Sequence, residues 1–584
     1  MSVLEAHPSA RDSRFYLKNF ASPPPSSRPY DNPSFPLSKS ITPTTAFIES
    51  PSSIAGALPP VEGKTELAEE LLQPIHRHTA LVKIQGPFTD RQLESIAEGM
   101  VYLKKLGLVS IIVMDSEEWA EPAPNPYLEA TTEARTARHV ALREQMKADT
   151  LRFTDMLEAQ GGEARPLLEG VLCVEGATFE KVWTPIASTS HIPYDSPSKA
   201  DLFVDSLSGI RDAIRRGEIP VIPPIALDAS CFSLCVSAND AVRAISSGLV
   251  DHERRAGLRY DSEERLRNDV DLTPVRIMVI NREGGIPSPA RGGNPHLSIN
   301  VESEFDDINS TFVWSATHPT SLANLALIKS CLSELPRTAS AVLVSHRSPR
   351  SLIANLITNK PAHSPSLHHS LLRDHNLQHN PTIVRRGLPI RVFRDMAAVD
   401  KLKLTGLLEE SFGQILAEEA FYRRLEKGLD FIIIAGDYEG VAIVTSETSS
   451  AGRSIAYLDK FAVLPSHQGD GTVDFLWGAL RDESFGLGLL SALNPNEGGL
   501  KGQGIGRDLV WRSRANNPVN KWYFERSNGF FKIPPRVEGG VGFQLFWCEA
   551  EDRVGVFKRE GEEGSLDKLR AWEESISKIP SCWK

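Results

Sequence analysis

The sequence Ile-Ala-Tyr-Leu-Asp-Lys-Phe-Ala-Val-Leu-Pro at 455–465, continued by Ser-His-Gln-Gly-Asp-Gly-Thr at 466–472, decides the fold of the C-terminal part of the chain. The first stretch predicts a buried strand, and the second predicts a glycine-containing turn that leads into a helix over 473–481. In such a turn, backbone N–H groups and the positive end of the helix dipole can bind a pyrophosphate. Short glycine-rich turns are also common without a ligand, so the pattern alone leaves a plain turn open.

A second strand is predicted at 508–511, and it continues into Trp-Arg-Ser-Arg-Ala-Asn-Asn-Pro-Val-Asn-Lys-Trp-Tyr-Phe at 511–524. If the two predicted strands are neighbours, Lys460, Arg512 and Arg514 converge. Three cations suit a dicarboxylate, because an arginine can hold a carboxylate in a two-point fork. The alternative is a cationic surface rim that binds nothing.

The composition of the whole chain limits the classes of function. At 584 residues it is too long for a single core, so two or three domains are expected. The formal net charge of −11 argues against a nucleic-acid partner, and no apolar run approaches the roughly 20 residues that span a bilayer. The six cysteines are too sparse for a disulfide scaffold, and none has the spacing of a metal site, so we expect no metal.

The first 360 residues fall into two regions. Residues 1–60 are rich in proline and serine, which predicts an extended leader with only a weak targeting signature. Over 61–360, strands alternate with amphipathic helices, which predicts one α/β sandwich. Its clearest part is a parallel βαβ unit with strands at 79–86 and 108–115 and a helix at 90–106. Further helices are predicted at 129–159, 201–216, 238–249 and 321–334.

The remaining residues predict a linker, a second domain and a closing helix. The histidine- and proline-rich stretch 361–381 is typical of an interdomain linker. Residues 382–560 predict a mixed α/β domain that includes one long helix over 402–427. Residues 561–584 predict a C-terminal helix.

Three motifs together resemble those of N-acetylglutamate synthases of the fungal and vertebrate type. They are Leu-Asp-Lys-Phe-Ala-Val-Leu-Pro, Gln-Gly-Asp-Gly and Trp-Arg-Ser-Arg-x-x-Asn-Pro-x-Asn-x-Trp-Tyr-Phe. The first two are similar to the acetyl-CoA face of a GNAT-type N-acetyltransferase, and the third is specific to the glutamate-acetylating family. The N-terminal part resembles the family's amino-acid-kinase-like domain more loosely. The fold class implied is an amino-acid-kinase-like α/β sandwich followed by a GNAT-type mixed α/β domain.

The resemblance implies transfer of the acetyl group of acetyl-CoA to the α-amino group of L-glutamate. In the family this is the first step of arginine biosynthesis, it takes place in the mitochondrial matrix, and arginine inhibits it. The family also favours a homotetramer. Two other functions stay open. One is an amino-acid kinase that the C-terminal domain regulates, and the other is an arginine-sensing scaffold that binds and controls acetylglutamate kinase.

Individual roles follow from the resemblance, motif by motif. Lys460 and Arg512 would bind the glutamate carboxylates, with Arg514 nearby. Tyr523 and Asn517 would lie near the reacting amine and thioester, with Tyr523 as the acid for the leaving thiolate; a purely structural aromatic contact is the alternative for Tyr523. The residues that would bind acetyl-CoA are Phe461, Ala462 and Val463 for the pantetheine and acetyl carbonyl, and Gln468, Gly469, Gly471 and Thr472 for the pyrophosphate.

Two features depart from the family's pattern. A second glycine-rich loop, Lys-Gly-Gln-Gly-Ile-Gly-Arg-Asp-Leu at 501–509, is an alternative for the pyrophosphate, but it runs into a strand and leaves no room for the helix that a cofactor loop begins. In the N-terminal domain, Gln85 stands between Lys83 and Gly86 where a kinase has a glycine pair. We therefore expect no kinase activity and assign the N-terminal domain a regulatory role.

Overall fold

The computed structural model describes residues 78–119, 132–175, 201–259, 271–289, 293–347, 380–448, 454–468, 470–484, 508–534, 542–548 and 565–584. The predicted leader, most of the predicted linker and the second glycine-rich loop at 501–506 lie outside these ranges. Among the described helices, none combines the length and the apolar character needed to cross a membrane.

The N-terminal part contains twelve strands and six helices among the described residues. The strands are β1 (His78–Gly86), β2 (Leu108–Ser116), β3 (Ala164–Pro166), β4 (Leu172–Glu175), β5 (Asp201–Val204), β6 (Ile219–Ile222), β7 (Ile225–Leu227), β8 (Ser233–Cys235), β9 (Pro274–Asn281), β10 (Ser298–Asn300), β11 (Ser340–Ser345) and β12 (Thr382–Arg385). The helices are α1 (Asp90–Lys105), α2 (Thr132–Ala159), α3 (Ser208–Arg216), α4 (Ala238–Arg259), α5 (Val301–Thr311) and α6 (Ser321–Glu334).

Eight of these strands form one sheet in the order β10-β12-β11-β9-β1-β2-β6-β3, and β5-β4-β7-β8 form a small second sheet. The pairs from β11 to β3 are all parallel, and β1 pairs with β2 as the predicted βαβ unit requires. Successive residues of β1 alternate between two cores: Leu81 belongs to one, and Val82 to the other. Helices therefore cover both faces of the large sheet, and the predicted α/β sandwich is confirmed.

The predicted boundary at residue 382 is wrong. Strand β12 pairs antiparallel with β11, from Ser340↔Arg385 to Leu343↔Thr382, and parallel with β10. It therefore completes the N-terminal sheet instead of starting the second domain. Its four residues carry no signal that is specific to either domain, and only the pairing partner assigns the strand to one of them.

The C-terminal part is a seven-stranded mixed sheet with helices on both faces. Its strands are β13 (Ile390–Phe393), β14 (Leu429–Ala435), β15 (Gly440–Thr448), β16 (Ser454–Val463), β17 (Leu509–Arg514), β18 (Gly529–Ile533) and β19 (Phe543–Cys548). Its helices are α7 (Lys401–Phe412), α8 (Glu418–Gly428), α9 (Thr472–Ser484), α10 (Asn520–Arg526) and α11 (Ser565–Ser577). The strand order is β13-β14-β15-β16-β17-β19-β18, and every described pair is antiparallel except β16 with β17.

Helix α9 packs on one face of this sheet, where Trp477 lies in a core with Leu458 and Trp511. Helices α7 and α8 pack on the opposite face, and α11 joins them there through Trp572. The predicted strands at 455–465 and 508–511, the helix at 473–481 and the C-terminal helix are thus confirmed, with small shifts of their ends.

Two predicted helices are wrong in extent. The stretch predicted as one helix over 201–216 begins with β5, which pairs with β4, and only α3 is helical. The helix predicted over 402–427 is two helices, because α7 ends at Gly413 with φ +63°, a left-handed conformation that terminates helices. In both cases the apolar spacing continues across the break, so periodicity alone could not locate it.

Candidate active site

The C-terminal sheet opens between β16 and β17. The two strands pair over only three residues each, from Ala456↔Leu509 to Leu458↔Trp511. Beyond that point β16 continues to Val463 and β17 to Arg514, yet no ladder pair joins 459–463 to 512–514. Both strands keep their outer neighbours, β15 and β19. The inner edge of β16 therefore presents backbone groups that can hydrogen-bond a ligand.

A β-bulge in β16 marks the start of this opening. The register with β15 shifts so that Ile443 faces Lys460 and Val444 faces Leu458, which leaves Asp459 as the extra residue. Both Asp459 and Lys460 consequently face α8. The carboxylate of Asp459 accepts a hydrogen bond from Arg424 of α8 at 2.8 Å.

The side chain of Lys460 is only 10% exposed, and it is paired. Its ammonium donates to the backbone oxygen and to the carboxylate of Asp459, at 3.0 and 3.2 Å, and it lies 5.9 Å from the centre of the Trp583 ring. Burial opposes its charged form, but Asp459, Cys582 and Tyr457 together raise the pKa of Lys460. Burial likewise opposes ionisation of Asp459, and Lys460 and Arg424 lower its pKa. Both groups are therefore charged at neutral pH.

Arg512 and Arg514 lie on the same face of the sheet as Lys460, since the β17 residue Val510 packs in the core with α11 and every second residue shares its face. The guanidinium of Arg512 donates to the backbone oxygens of Ile576 and Ile579, both at 3.3 Å. The side chain of Arg514 is exposed. The C-terminal segment 565–584 thus contacts two of the three cations that the sequence singled out.

The hydroxyl of Tyr457 lies close enough to two of these cations for both charges to affect its pKa. The side chain is fully buried on this face, and burial raises the pKa of its hydroxyl, as does the charge of Asp459. The positive charges of Arg512 and Lys460 both act in the opposite direction on the same hydroxyl. That both charges act on one hydroxyl is consistent with the predicted convergence of Lys460 and Arg512. Among the described residues, no contact of Arg514 with either residue is found.

Tyr523 lies on the opposite face of the sheet, in an aromatic cluster at the start of α10. Its ring is 5.4 Å from that of Trp511 and 5.6 Å from that of Trp522, and it packs in the same core as Trp477. Burial raises the pKa of the Tyr523 hydroxyl, so it keeps its proton at and well above neutral pH. The residue is available as a proton donor but not as a base.

Asn517 lies in the turn that joins β17 to α10. Its amide nitrogen donates to the hydroxyl of Ser513 at 2.9 Å, and its amide oxygen accepts from the backbone N–H of Val519 at 3.0 Å. Ser513 is buried on the Tyr523 face of β17. Asn517 therefore orients the exit of β17 and the helix that carries Tyr523.

The predicted pyrophosphate loop leads from β16 into α9. The side chain of Gln468 donates back to the backbone oxygen of Val463 at 3.2 Å, and Gly471 has φ +98°, which glycine adopts readily. Thr472 begins α9, and its N–H donates to Asp470 at 2.9 Å. Gly469 lies outside the described residues. The loop therefore sits at the N-terminus of a thirteen-residue helix, as predicted.

Phe461, Ala462 and Val463 lie at the end of β16, along the edge that β17 does not cover. The ring of Phe461 stacks on that of Trp522, with 5.9 Å between centroids, and Ala462 packs against the α7 and α8 face. Their outer edge pairs with β15 through Val441↔Ala462. Their inner backbone groups face the opening.

The N-terminal sheet has a cleft of its own, of about 780 Å³, at the carboxyl ends of β1, β2 and β9. Lys83 of β1 lies beneath it and bonds Asp115, Asn239 and Asn324 at 2.9, 2.6 and 2.9 Å. Gln85 accepts a hydrogen bond from Asn324 and is fully buried. Among the described residues, no group of three or more His, Cys, Asp or Glu is arranged to hold a metal ion.

Sequence reasoning missed three parts of this site. The Arg424 contact with Asp459 joins residues 35 positions apart, and α10 is too short for a periodic signal. The contacts of the C-terminal segment with Arg512 and Lys460 are also unforeseen. Asp459 was the available signal, because an aspartate inside an apolar strand needs a cationic partner.

Comparisons with known proteins identify relatives of this chain. Residues 391–489 and 505–559 match the family model described as the N-acetyltransferase of N-acetylglutamate synthase. A mitochondrial amino-acid acetyltransferase of Coprinopsis cinerea is 46% identical over 603 residues, covering 100% of this chain and 91% of that protein. One of Laccaria bicolor is 45% identical over 615 residues, covering 100% and 98%.

A solved structure is also similar. It is N-acetylglutamate synthase from Neisseria gonorrhoeae complexed with coenzyme A and N-acetyl-glutamate, with 14% identity and a TM-score of 0.45, covering 83% of this chain and 98% of that one. The family resemblance read from the sequence is confirmed by the two fungal relatives.

Proposed function

The chain belongs to the family of mitochondrial amino-acid acetyltransferases, and from this premise we propose that it transfers the acetyl group of acetyl-CoA to the α-amino group of L-glutamate. It is an acyltransferase with a GNAT-type domain. Arginine biosynthesis in the mitochondrial matrix is the setting that the family name and the sequence motifs support.

One observation carries the choice of an acidic acceptor. The opening between β16 and β17 has cations on one face, Lys460 and Arg512, and a protonated tyrosine, Tyr523, on the other. A dicarboxylate can use both cations, whereas an amino acid with an uncharged side chain would use only one of them; Lys460 also keeps its bond to Asp459. We therefore assign the cationic face to glutamate and the Tyr523 face to the thioester.

The residues present suit acetyl-CoA, which supplies the activated acetyl group. The uncovered backbone of Phe461 to Val463 offers N–H and C=O groups to an amide-containing arm. The turn at Gly471 leads into the N-terminus of α9, whose dipole favours an anion, so a pyrophosphate could bind there in exchange for the bond between Asp470 and the N–H of Thr472. This assignment favours 468–472 over the glycine-rich loop at 501–506.

The reaction requires no covalent attachment to the protein. Lys460 and Arg512 would orient glutamate so that its amine enters the opening, and the backbone of β16 would polarise the acetyl carbonyl. The glutamate ammonium would lose one proton to water before attack. Tyr523 would donate its proton to the departing thiolate sulfur and regain one, by way of water, from the nitrogen as the amide forms. Asn517 would contribute by fixing Ser513 and the start of α10.

We assign the N-terminal domain a regulatory role without phosphoryl transfer. Lys83 is enclosed by three bonding partners and cannot reach a phosphate in the cleft without breaking them. Feedback inhibition by arginine and a homotetramer rest on the family resemblance alone. A complex with acetylglutamate kinase is compatible with this role.

The test is an assay of the purified full chain with acetyl-CoA and L-glutamate, following free thiol and identifying N-acetylglutamate by mass spectrometry. L-Glutamine is the matched control, because it has the same shape without the side-chain charge. We expect kcat/KM to be about 100-fold lower with glutamine, from the loss of one buried charge pair. Equal rates with the two amino acids would contradict the dicarboxylate site.

The same assay examines regulation. Arginine should lower the rate, and ATP with glutamate should give no ADP. Formation of ADP in proportion to a phosphorylated glutamate would make the chain a kinase instead.

A further inference from the structure

Arg385 brings the N-terminal sheet into contact with the proposed pyrophosphate loop. It is the last residue of β12 and is only 8% exposed. A Cβ placed on Gly471 would lie 2.9 Å from Cδ and 3.3 Å from Nε of Arg385. The guanidinium arm of one domain therefore packs directly under the turn of the other.

Arg385 is one of two buried arginines on strands that flank β11. Ser340 of β11 faces Arg276 on one side and Arg385 on the other, and both arginines are buried. Burial lowers the pKa of Arg276 to about 9, and the charge of Arg385 adds to this effect. Buried guanidinium groups this close to each other need carboxylates nearby.

Those carboxylates come from the loop and helix α9. Burial lowers the pKa of Arg385, and the charges of Asp474 and Asp470 oppose that effect. Asp470 also contacts His467 at 3.0 Å, and Asp474 contacts Arg526 at 3.3 Å. Carboxylates of the C-terminal part therefore stabilise the charge of an arginine that belongs to the N-terminal sheet.

The same two carboxylates pose a problem for a pyrophosphate. Asp470 and Asp474 lie in the turn and in the first turn of α9, where they would repel a bound anion. A cation beneath the turn removes much of this repulsion. Arg385 is that cation, and it comes from the regulatory domain.

We propose that Arg385 is a positioning residue for acetyl-CoA: it neutralises Asp470 and Asp474 and supports the turn at Gly471, so that the N-terminal sheet helps to set the affinity for the nucleotide end of the co-substrate. The inference rests on the proposed assignment of 468–472 to the pyrophosphate. A change in the orientation of the two domains would act on acetyl-CoA through this contact.

Calorimetric binding of CoA to the full chain tests this directly. Arg385→Gln should weaken CoA binding about 10-fold, and Arg385→Lys, which retains the charge, should recover part of the loss. The KM for glutamate should stay within twofold. Arg386→Gln is the matched control, because this neighbouring residue pairs with Glu302 and bonds Ser333, away from the loop.

A second variant separates electrostatics from folding. Asp474→Asn, at a partly exposed position, removes one repelling charge and should tighten CoA binding about threefold in the wild-type chain. Combined with Arg385→Gln, it should restore most of the lost affinity. Unchanged CoA affinity in Arg385→Gln would overturn the inference, and so would a double variant that binds CoA no better than Arg385→Gln alone.

Gly471→Ala separates the assignment of the pyrophosphate loop from the proposed role of Arg385. If Gly471→Ala weakens CoA binding and Arg385→Gln does not, the loop assignment stands and the role of Arg385 is wrong. If neither changes CoA binding, the loop assignment fails, and the inference fails with it.

Discussion

Each of the two sheets contains a buried lysine paired with an aspartate near a glycine-containing turn. In the N-terminal sheet, Lys83 and Asp115 are 2.9 Å apart with side chains 1% and 4% exposed. In the C-terminal sheet, Lys460 and Asp459 are 3.2 Å apart and 10% and 3% exposed. Burial and pairing are therefore similar, and they do not by themselves distinguish a structural pair from a functional one.

The backbone around the two pairs differs. Strand β1 is paired on both sides along its length, with β2 and β9, and Lys83 has two further asparagine partners. Strand β16 loses its inner neighbour at Asp459. Beyond that point the Lys460–Asp459 pair contacts Arg424 and, in the C-terminal segment, Trp583. A ligand can reach the second pair through an open strand edge, whereas the first is enclosed by its sheet.

The largest expected effect comes from Tyr523→Phe. Loss of a general acid lowers kcat by about 10²–10⁴-fold, while KM for both substrates should change little. Since burial raises the pKa of this hydroxyl, the wild-type rate should show no loss from its ionisation up to about pH 9. Measuring kcat with a stopped assay across the pH range tests both the loss in the variant and the pH profile of the wild type. Tyr102→Phe in the N-terminal domain is the control. A Tyr523→Phe enzyme with full kcat would make the tyrosine a core residue only.

Lys83→Met should act on stability and not on acetyl transfer. Removing the ammonium leaves Asp115 buried without its counter-charge, which costs about 3–5 kcal/mol of unfolding free energy. Denaturant unfolding of the N-terminal domain measures this loss. At temperatures where the variant is folded, its kcat/KM for glutamate should equal that of the wild type. A 100-fold fall at those temperatures would show that Lys83, like Lys460, is needed for acetyl transfer.

Lys460→Met is the matched change in the C-terminal sheet. We expect kcat/KM for glutamate to fall about 100-fold, mainly through KM, because a carboxylate of the substrate loses its partner. The Kd of CoA should not change. Steady-state kinetics and calorimetry on one preparation separate the two effects, and a pure loss of stability, as for Lys83→Met, would show that Lys460 is structural.

The smallest effect is expected from Gly471→Ala. Alanine at φ +98° is strained, and its Cβ would meet Arg385 and Phe475, so KM for acetyl-CoA should rise about tenfold. Gly504→Ala in the other glycine-rich loop is the control. A rise in KM for acetyl-CoA with Gly504→Ala alone would move the pyrophosphate to 501–506.

Much of this arrangement could be predicted from local sequence, because the strands and helices that carry the motifs have strong apolar periodicity. The strand of Lys460, the turn at Gly471 and helix α9 follow one another in the chain, so a single pattern identified all three. Contacts between distant residues were not predictable in this way. Strand β12 was assigned to the wrong domain, and the contact of Arg385 with the loop depends on that strand's place in the sheet.

In the candidate site, too, local sequence predicted some residues, and contacts between distant residues were not predictable. The cations Lys460 and Arg512 were identified by type and spacing, since charged residues inside apolar strands need a partner or a ligand. Their contacts with Trp583 and with the backbone oxygens of Ile576 and Ile579 come from the last twenty residues, which have no motif of their own. Only the folded chain brings this segment over the cationic face.

A crystal structure of the full chain with CoA and N-acetyl-L-glutamate tests the central claim most directly. We expect the pantetheine to lie along the uncovered edge of β16 at 461–463 and the pyrophosphate to lie at the turn of Gly471. The two carboxylates of N-acetylglutamate should lie on the face of Lys460 and Arg512. CoA bound in the N-terminal cleft above Lys83, or N-acetylglutamate held away from Lys460 and Arg512, would contradict that claim.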